Sequence, residues 1–322
     1  MTLHTEKRLF ETAINETSDN LRIKGYFIEK DYWISLVLSR LSESRFADSV
    51  VFKGGTSLSK GHKLINRFSE DVDVAVIMTP GTTGNQMKSF IRTVEKEISC
   101  DLEEIIVEGI TSKGSRFRKA VYKYPGINKQ KQQITISDSI IIEINSFANP
   151  FPYSKVSIQS MIGEYLHRQD QTELIQKYGL DAFEINILAK EQTLIEKLVS
   201  LVRFSFAANT EESLSGKIRH FYDLYHLQID EKCKSYVSSE EFKTQFKKVL
   251  VHDQNQFDEP IGWNKRQLQE SPLIKDFDSL WGKLKTTYIN ELSILAFTEI
   301  PKEKDVADSF KKLIEILASV RD

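Results

Sequence analysis

The chain has 322 residues, a length that suits two domains or one large one. Hydrophobic residues make up 40% and charged residues 28%, as in an ordinary soluble globular protein, and the net charge of −2 argues against a general nucleic-acid coat. No apolar run approaches the length of a membrane span, and the N-terminus is too polar for a signal peptide. Because Cys100 and Cys233 lack metal-type spacing, we expect a reduced cytoplasmic setting without zinc.

The first half of the chain is predicted to mix helices and strands. Apolar positions at helical spacing predict helices over residues 5–20 and 29–43. Further along, hydrophobic runs and turn residues predict strands over 48–52, 71–78, 103–110, 115–124 and 139–147, with helices over 56–64 and 85–99. The basic, glutamine-rich residues 128–133 are predicted to form a hairpin tip.

The second half of the chain is predicted to be helical. Amphipathic patterns cover residues 193–206, 217–228, 239–251, 277–292 and 305–320. We therefore place a boundary near 188–192, with an α/β domain over 1–190 and a helical domain over 191–322. The predicted fold class is α+β, with a mixed sheet and flanking helices followed by a C-terminal helical bundle.

The most informative stretch is residues 51–76, in which Gly54 and Gly55 follow one apolar run and Asp71 and Asp73 lie in the next. Residues i and i+2 of a strand point to the same face, so the two carboxylates would lie side by side. Such a pair is unfavourable without a cation, and hard cations such as Mg²⁺ prefer carboxylate and phosphate oxygens. Glycine lets backbone N–H groups approach a phosphate closely. The stretch therefore indicates a metal ion and a triphosphate.

Each of these residues also has a purely structural interpretation. The acidic pair could lie solvated on an edge strand, and the glycines could form a strand-to-helix turn. Glu143 is a lone acid in an apolar strand, so it is either a third carboxylate of the site or half of a structural ion pair. The hydroxyls of Thr56 and Ser57 are candidates to assist phosphate binding.

The pattern GG-x15-DxD resembles the signature of the nucleotidyltransferase superfamily related to DNA polymerase β. The fuller runs FKGGTSLSK and RFSEDVDV resemble the AbiEii/AbiGii toxin family of bacterial abortive-infection and toxin–antitoxin systems. The runs EKDYW at 29–33, EKL at 196–198 and RHFYDL at 219–224 resemble other blocks of that family. The resemblance extends from about residue 25 to 230 and is looser beyond.

The resemblance implies a nucleotidyltransferase core in residues 1–190, with residues 191–322 completing the NTP cleft. Three acidic residues would be catalytic and would hold Mg²⁺, or Mn²⁺ in its place: Asp71, Asp73 and Glu143. Six residues would bind the NTP: Gly54, Gly55, Thr56, Ser57, Lys197 and Asp223.

The two NTP-binding candidates in the helical half have alternative interpretations. Lys197 lies at the margin of an apolar stripe, where a lysine can also extend its charge to water without binding a ligand. Asp223 lies among aromatic residues and could orient Lys197, bind the ribose or pair with Arg219.

The reaction so implied is the attack of an acceptor hydroxyl on the α-phosphate of an NTP, with release of pyrophosphate. By resemblance the protein is a toxin of a toxin–antitoxin or phage-defence pair, with an antitoxin encoded nearby and no membrane partner. The acceptor would be the 3′ end of tRNA or another RNA. The alternatives are nucleotidylation of a protein, GTP or ATP binding by a regulator without turnover, and a metal-dependent nuclease, which the glycine motif disfavours.

Overall fold

The computed structural model describes residues 1–127 and 138–320. The predicted hairpin tip at 128–133 lies outside the described residues. The chain divides into two compact units, one made of residues 1–62 and 68–188 and the other of residues 63–67 and the chain from 189 onward. The short segment 63–67 therefore belongs to the second unit, although it lies in sequence between the glycine half and the aspartate half of the motif.

In the residues that the structure describes, the first unit is built on one sheet of eight strands. In chain order the strands are β1 (Val50–Lys53), β2 (Asp71–Val76), β3 (Glu103–Ile105), β4 (Ser112–Lys113), β5 (Phe117–Lys123), β6 (Ser139–Asn145), β7 (Tyr153–Ile158) and β8 (Phe183–Leu188). Across the sheet the order is β3, β5, β6, β2, β1, β8 and β7, and β4 pairs with β5. The pairs β2–β6 and β1–β8 are parallel and the other pairs are antiparallel, which confirms the predicted mixed sheet.

Helices flank this sheet, and one of them is buried almost throughout. They are α1 (Lys7–Leu21), α2 (Gly25–Glu43), α3 (Gly54–Lys60), α4 (Gly84–Ile98), α5 (Met161–Arg168) and α6 (Thr172–Tyr178). Helix α2 contacts α1, α4, α5, β6 and β8, so it lies within the core of the unit. It begins at Gly25, earlier than the predicted 29, because residues 25–28 are also buried in that core.

The described part of the second unit is helical apart from loops and one isolated bridge between Arg67 and Ala296. Its helices are α7 (Lys190–Ser205), α8 (Thr210–Ser215), α9 (Ile218–Ile229), α10 (Glu231–Val237), α11 (Glu240–Gln256), α12 (Pro272–Lys275), α13 (Phe277–Leu295) and α14 (Glu303–Ala318). An aromatic cluster joins α9, α13 and α14, with the ring of Phe310 at 4.8 Å from that of Phe221 and 4.9 Å from that of Phe277. The predicted α+β fold class, with helices following the mixed sheet, is confirmed.

Residues 153–188 hold elements beyond those predicted from the sequence, namely β7, α5, α6 and β8. The first five residues of β8, FEINI, alternate apolar and polar side chains, so the period of two that predicts a strand is present in the sequence. In the sheet, β8 pairs with β1 on one side and β7 on the other. In the described part of the chain, no helix combines the length and apolar character needed to cross a membrane.

Candidate active site

Four charged residues lie side by side across four neighbouring strands of the sheet. The strand registers pair Lys53 with Asp73, Asp73 with Glu143, and Glu143 with Lys119. Residues paired laterally in a sheet point to the same face, so the row reads lysine, carboxylate, carboxylate, lysine. Asp71 lies two residues before Asp73 and shares that face. The sheet thus brings together all three predicted catalytic carboxylates and places a lysine at each end of the row.

Gly54 lies directly against the carboxylate of Asp73. Its φ of +80° is in the left-handed region, which favours glycine. A Cβ atom at this position would overlap Oδ2 of Asp73. The first glycine of the motif is therefore required twice, once by its backbone conformation and once by this close approach.

The charges of the row influence one another strongly. Burial, and then the negative charges of Glu143 and Asp71, raise the pKa of Asp73 well above its ordinary value. Although burial works to lower it, the pKa of Lys119 is raised by Glu143, Asp71 and Asp73. Since three carboxylates face two lysines, this part of the sheet favours the binding of a further cation.

Carboxylate oxygens are donors that suit Mg²⁺ or Mn²⁺, so the predicted set of Asp71, Asp73 and Glu143 fits such an ion chemically. As the side chains of the described residues stand, however, no three His, Cys, Asp or Glu residues converge on a metal-binding point. Glu143 is engaged elsewhere, because its Oε2 accepts from Nζ of Lys119 at 3.3 Å. Its structural ion pair is thus real, and its role as a metal ligand stays a prediction.

The hydroxyls predicted to assist phosphate binding are buried and bonded to the backbone. Thr56 donates to the carbonyl of Asp71 and Ser57 to that of Gly54. The first bond ties α3 to the start of β2. Gly55, in the first turn of α3, is half-buried. The phosphate-binding roles of these residues are not tested by these contacts and stay predictions.

Buried charges on α2 hold the two ends of the glycine and aspartate motif. Lys30 pairs with Glu70 at 3.2 Å, one residue before β2 begins. Asp31 accepts from Nζ of Lys60 at 2.5 Å, at the last residue of α3. Glu29 accepts a backbone N–H at 2.7 Å. Since a buried charge without its partner is strongly destabilising, these contacts constrain both segments. The EKD run of the sequence therefore has a structural role.

The second unit contains its own buried charged centre. Asp223 accepts from Nε and Nη2 of Arg67 at 2.7 and 2.6 Å and from Nζ of Lys197 at 2.8 Å. Although burial opposes it, Arg67 and Lys197 hold the pKa of Asp223 far below its ordinary value. Arg219 pairs with Glu291 instead, so the alternative in which Arg219 pairs with Asp223 is wrong. Of the remaining alternatives, the contacts match an Asp223 that orients Lys197.

The motifs and spacings of the sequence did not point to Lys53, to Lys119 or to the partner of Arg67. Lys53 directly precedes Gly54, so its place in the motif was a usable signal. Lys119 reaches Glu143 only through the register of β5 on β6, which one sequence does not reveal. Arg67 is 3% exposed and contacts Asp223 across a sequence separation of 156 residues, which no local pattern indicates.

Helix α3 begins at Gly54 and packs on β2, which carries Asp71 and Asp73. The parallel strand β6 carries Glu143 beside them. The resemblance noted in the sequence leads us to expect this arrangement in a nucleotidyltransferase core. Residues 36–311 match a family described as nucleotidyl transferase AbiEii toxin, type IV TA system. The chain belongs to this AbiEii family, so it is a nucleotidyltransferase toxin of a type IV toxin–antitoxin family. The family implies a nucleotide substrate and an antitoxin partner.

Among solved structures, the chain is similar to the nucleotidyltransferase toxin MenT4 of Mycobacterium tuberculosis H37Rv. The two share 14% sequence identity with a TM-score of 0.46, over 96% of this chain and 99% of the other. No curated protein matches the chain. The family assignment rests on the sequence match over residues 36–311.

The contact between Gly54 and Asp73 can be tested with two alanine substitutions. Gly81 has a φ of +86°, but a Cβ added there would have no neighbouring atom within 4 Å, so Gly81→Ala carries the backbone strain alone. We expect both variants to lose about 1 kcal/mol of unfolding free energy in urea from that strain. Only Gly54→Ala should also lose nucleotidyl transfer, because it displaces Asp73. Equal activity in the two variants would contradict the requirement for this contact.

Proposed function

We propose that this protein transfers a nucleotide from an NTP to an RNA acceptor, the 3′ end of tRNA, with Mg²⁺ held by Asp71, Asp73 and Glu143. The observation that carries the proposal is the lateral pairing of Asp73 on β2 with Glu143 on β6, with Gly54 packed against the first of them. Family membership supplies the reaction class. The toxin family supports an acceptor that translation needs, and tRNA is such an acceptor.

In the proposed reaction an acceptor hydroxyl attacks the α-phosphorus of the NTP and pyrophosphate leaves. When bound, the divalent cation neutralises the charge that develops on the phosphate oxygens. Asp71 and Asp73 hold the cation. Glu143 completes the carboxylate set and accepts the proton of the incoming hydroxyl. The backbone of Gly54 and Gly55 approaches the triphosphate. The hydroxyls of Thr56 and Ser57 assist by turning their hydrogens from the backbone carbonyls of Asp71 and Gly54 to the phosphate.

We assign Lys197 and Asp223 to NTP binding as well. Support comes from the contact between them, since a lysine fixed by a buried carboxylate is held in one orientation. Arg67 provides Asp223 with a second cationic partner, so Nζ of Lys197 can share its hydrogen bonds between Asp223 and a phosphate. Family membership further supports an antitoxin encoded nearby, a cytoplasmic site of action and a role in phage defence.

The metal site is tested by Asp73→Asn, which keeps the size of the side chain and removes its charge. Incubation with each α-labelled NTP and total RNA or lysate should show label on RNA for the wild type. We expect about a thousandfold slower transfer by Asp73→Asn, since an electrostatic stabiliser of the reaction is lost. The same change at exposed Asp48 should have no effect.

The outcome of the labelling experiment also separates the alternatives. Near-normal transfer by folded Asp73→Asn would refute the assignment of the carboxylates. Label on a protein would replace the RNA acceptor by a protein target, and NTP binding with no labelled product would favour a regulator.

The role of Lys197 is tested by Lys197→Met, which keeps a long apolar stem and removes the charge. We expect NTP affinity to fall by about tenfold or more, as for the loss of a charge-assisted hydrogen bond. Asp223 keeps Arg67 as its partner, so the helical content by circular dichroism should persist. Lys190→Met removes another paired lysine from the same helix and is the matched control. Unchanged NTP binding by Lys197→Met would return Lys197 to a structural role.

A cellular experiment tests the toxin activity and its dependence on the site. Expression of the wild-type chain without its antitoxin should arrest bacterial growth, and Asp73→Asn at the same protein level should not. The reason is that only an active transferase depletes its acceptor. Arrest by both forms would indicate sequestration of a partner, and growth of both would contradict toxicity through this site.

A further inference from the structure

Lys119 is a charged residue of the carboxylate row that the proposed reaction does not use. It lies on β5 directly opposite Glu143, and its Nζ is 3.3 Å from Oε2 of that residue. The side chains of Lys119 and Glu143 are 26% and 23% exposed, so both are partly shielded yet reachable from solvent. The lysine therefore lies at the edge of the proposed metal site, bonded to one of its ligands.

An ammonium group and a divalent cation compete for the same carboxylate oxygen. Each lowers the repulsion among three like charges on one face of the sheet, and each repels the other. The pair with Lys119 draws Glu143 toward β5, on the side away from β2. This agrees with the lack of a converged three-carboxylate cluster among the described residues.

We infer that Lys119 is a positioning residue that occupies Glu143 until a divalent cation displaces it, and that it thereby weakens metal binding while stabilising the metal-free protein. The inference rests on the metal site of the proposed function. Strand β5, which lies outside the glycine and aspartate motif, would thus influence the metal affinity of the site through Lys119.

Direct metal binding by the full chain tests this inference, with Mn²⁺ as the probe and no nucleotide present. Free Mn²⁺ is measured by electron paramagnetic resonance during titration of the wild type, Lys119→Met, Lys119→Arg and Lys123→Met. Lys123 has the same orientation on β5 but pairs with Ser139, so it serves as the control. We expect Lys119→Met to bind Mn²⁺ about fivefold to tenfold more tightly, because a positive charge a few ångströms away is removed. Lys119→Arg and Lys123→Met should match the wild type.

Thermal unfolding with and without Mn²⁺ gives a second readout. Removal of Lys119 should lower the unfolding temperature of the metal-free protein but increase the rise in that temperature caused by Mn²⁺. Without metal, Lys119→Met should unfold at a lower temperature than the wild type because Glu143 loses its partner. Saturating Mn²⁺ should then raise its unfolding temperature by more than that of the wild type, as linkage requires of a tighter ligand.

The outcomes separate this inference from the proposed metal site. If Lys119→Met binds Mn²⁺ no more tightly than the wild type, and Asp73→Asn abolishes binding in both proteins, the role of Lys119 is refuted and the metal site is supported. Binding that survives Asp73→Asn in the Lys119→Met background, or no binding by any variant, would refute both. Tighter binding by Lys119→Met that depends on Asp73 would establish both.

Discussion

The repulsion among carboxylates on one face of the sheet is the constraint on which the rest of the first unit depends. Asp71 and Asp73 share that face with Glu143, and burial followed by the charges of Glu143 and Asp71 raises the pKa of Asp73. A lysine at each end of the row offsets part of the charge. The fold thus holds an arrangement that is unfavourable without a further cation, as is common where a protein binds charged ligands.

Holding these charges in place requires a rigid support, which the buried helix α2 provides. Its Lys30 and Asp31 reach the residue before β2 and the last residue of α3 respectively. Paired charges in a core add little net stability compared with apolar residues, but they tolerate only one geometry. We interpret Lys30 and Asp31 of the EKD run as the residues that fix the spacing between the glycine turn and the carboxylates, because each is buried and paired with a charge at one end of the intervening segment.

The helical unit contains the complementary case, a carboxylate surrounded by cations. Asp223 is paired with Arg67 and Lys197, and Arg67 comes from the segment between the two halves of the motif in the sequence. A change in this centre therefore acts on a segment that is covalently continuous with both halves.

The sequence by itself determined the motif, the pair of carboxylates, most helices and the change from a mixed to a helical half. These depend on local spacing, hydrophobic period and turn residues. Tertiary structure decided the strand register and the burial of α2. The register alone brings Lys119 to Glu143, and chain folding alone brings Arg67 to Asp223. Contacts between residues far apart in the chain depend on how whole elements pack, and no local pattern in one sequence encodes that packing.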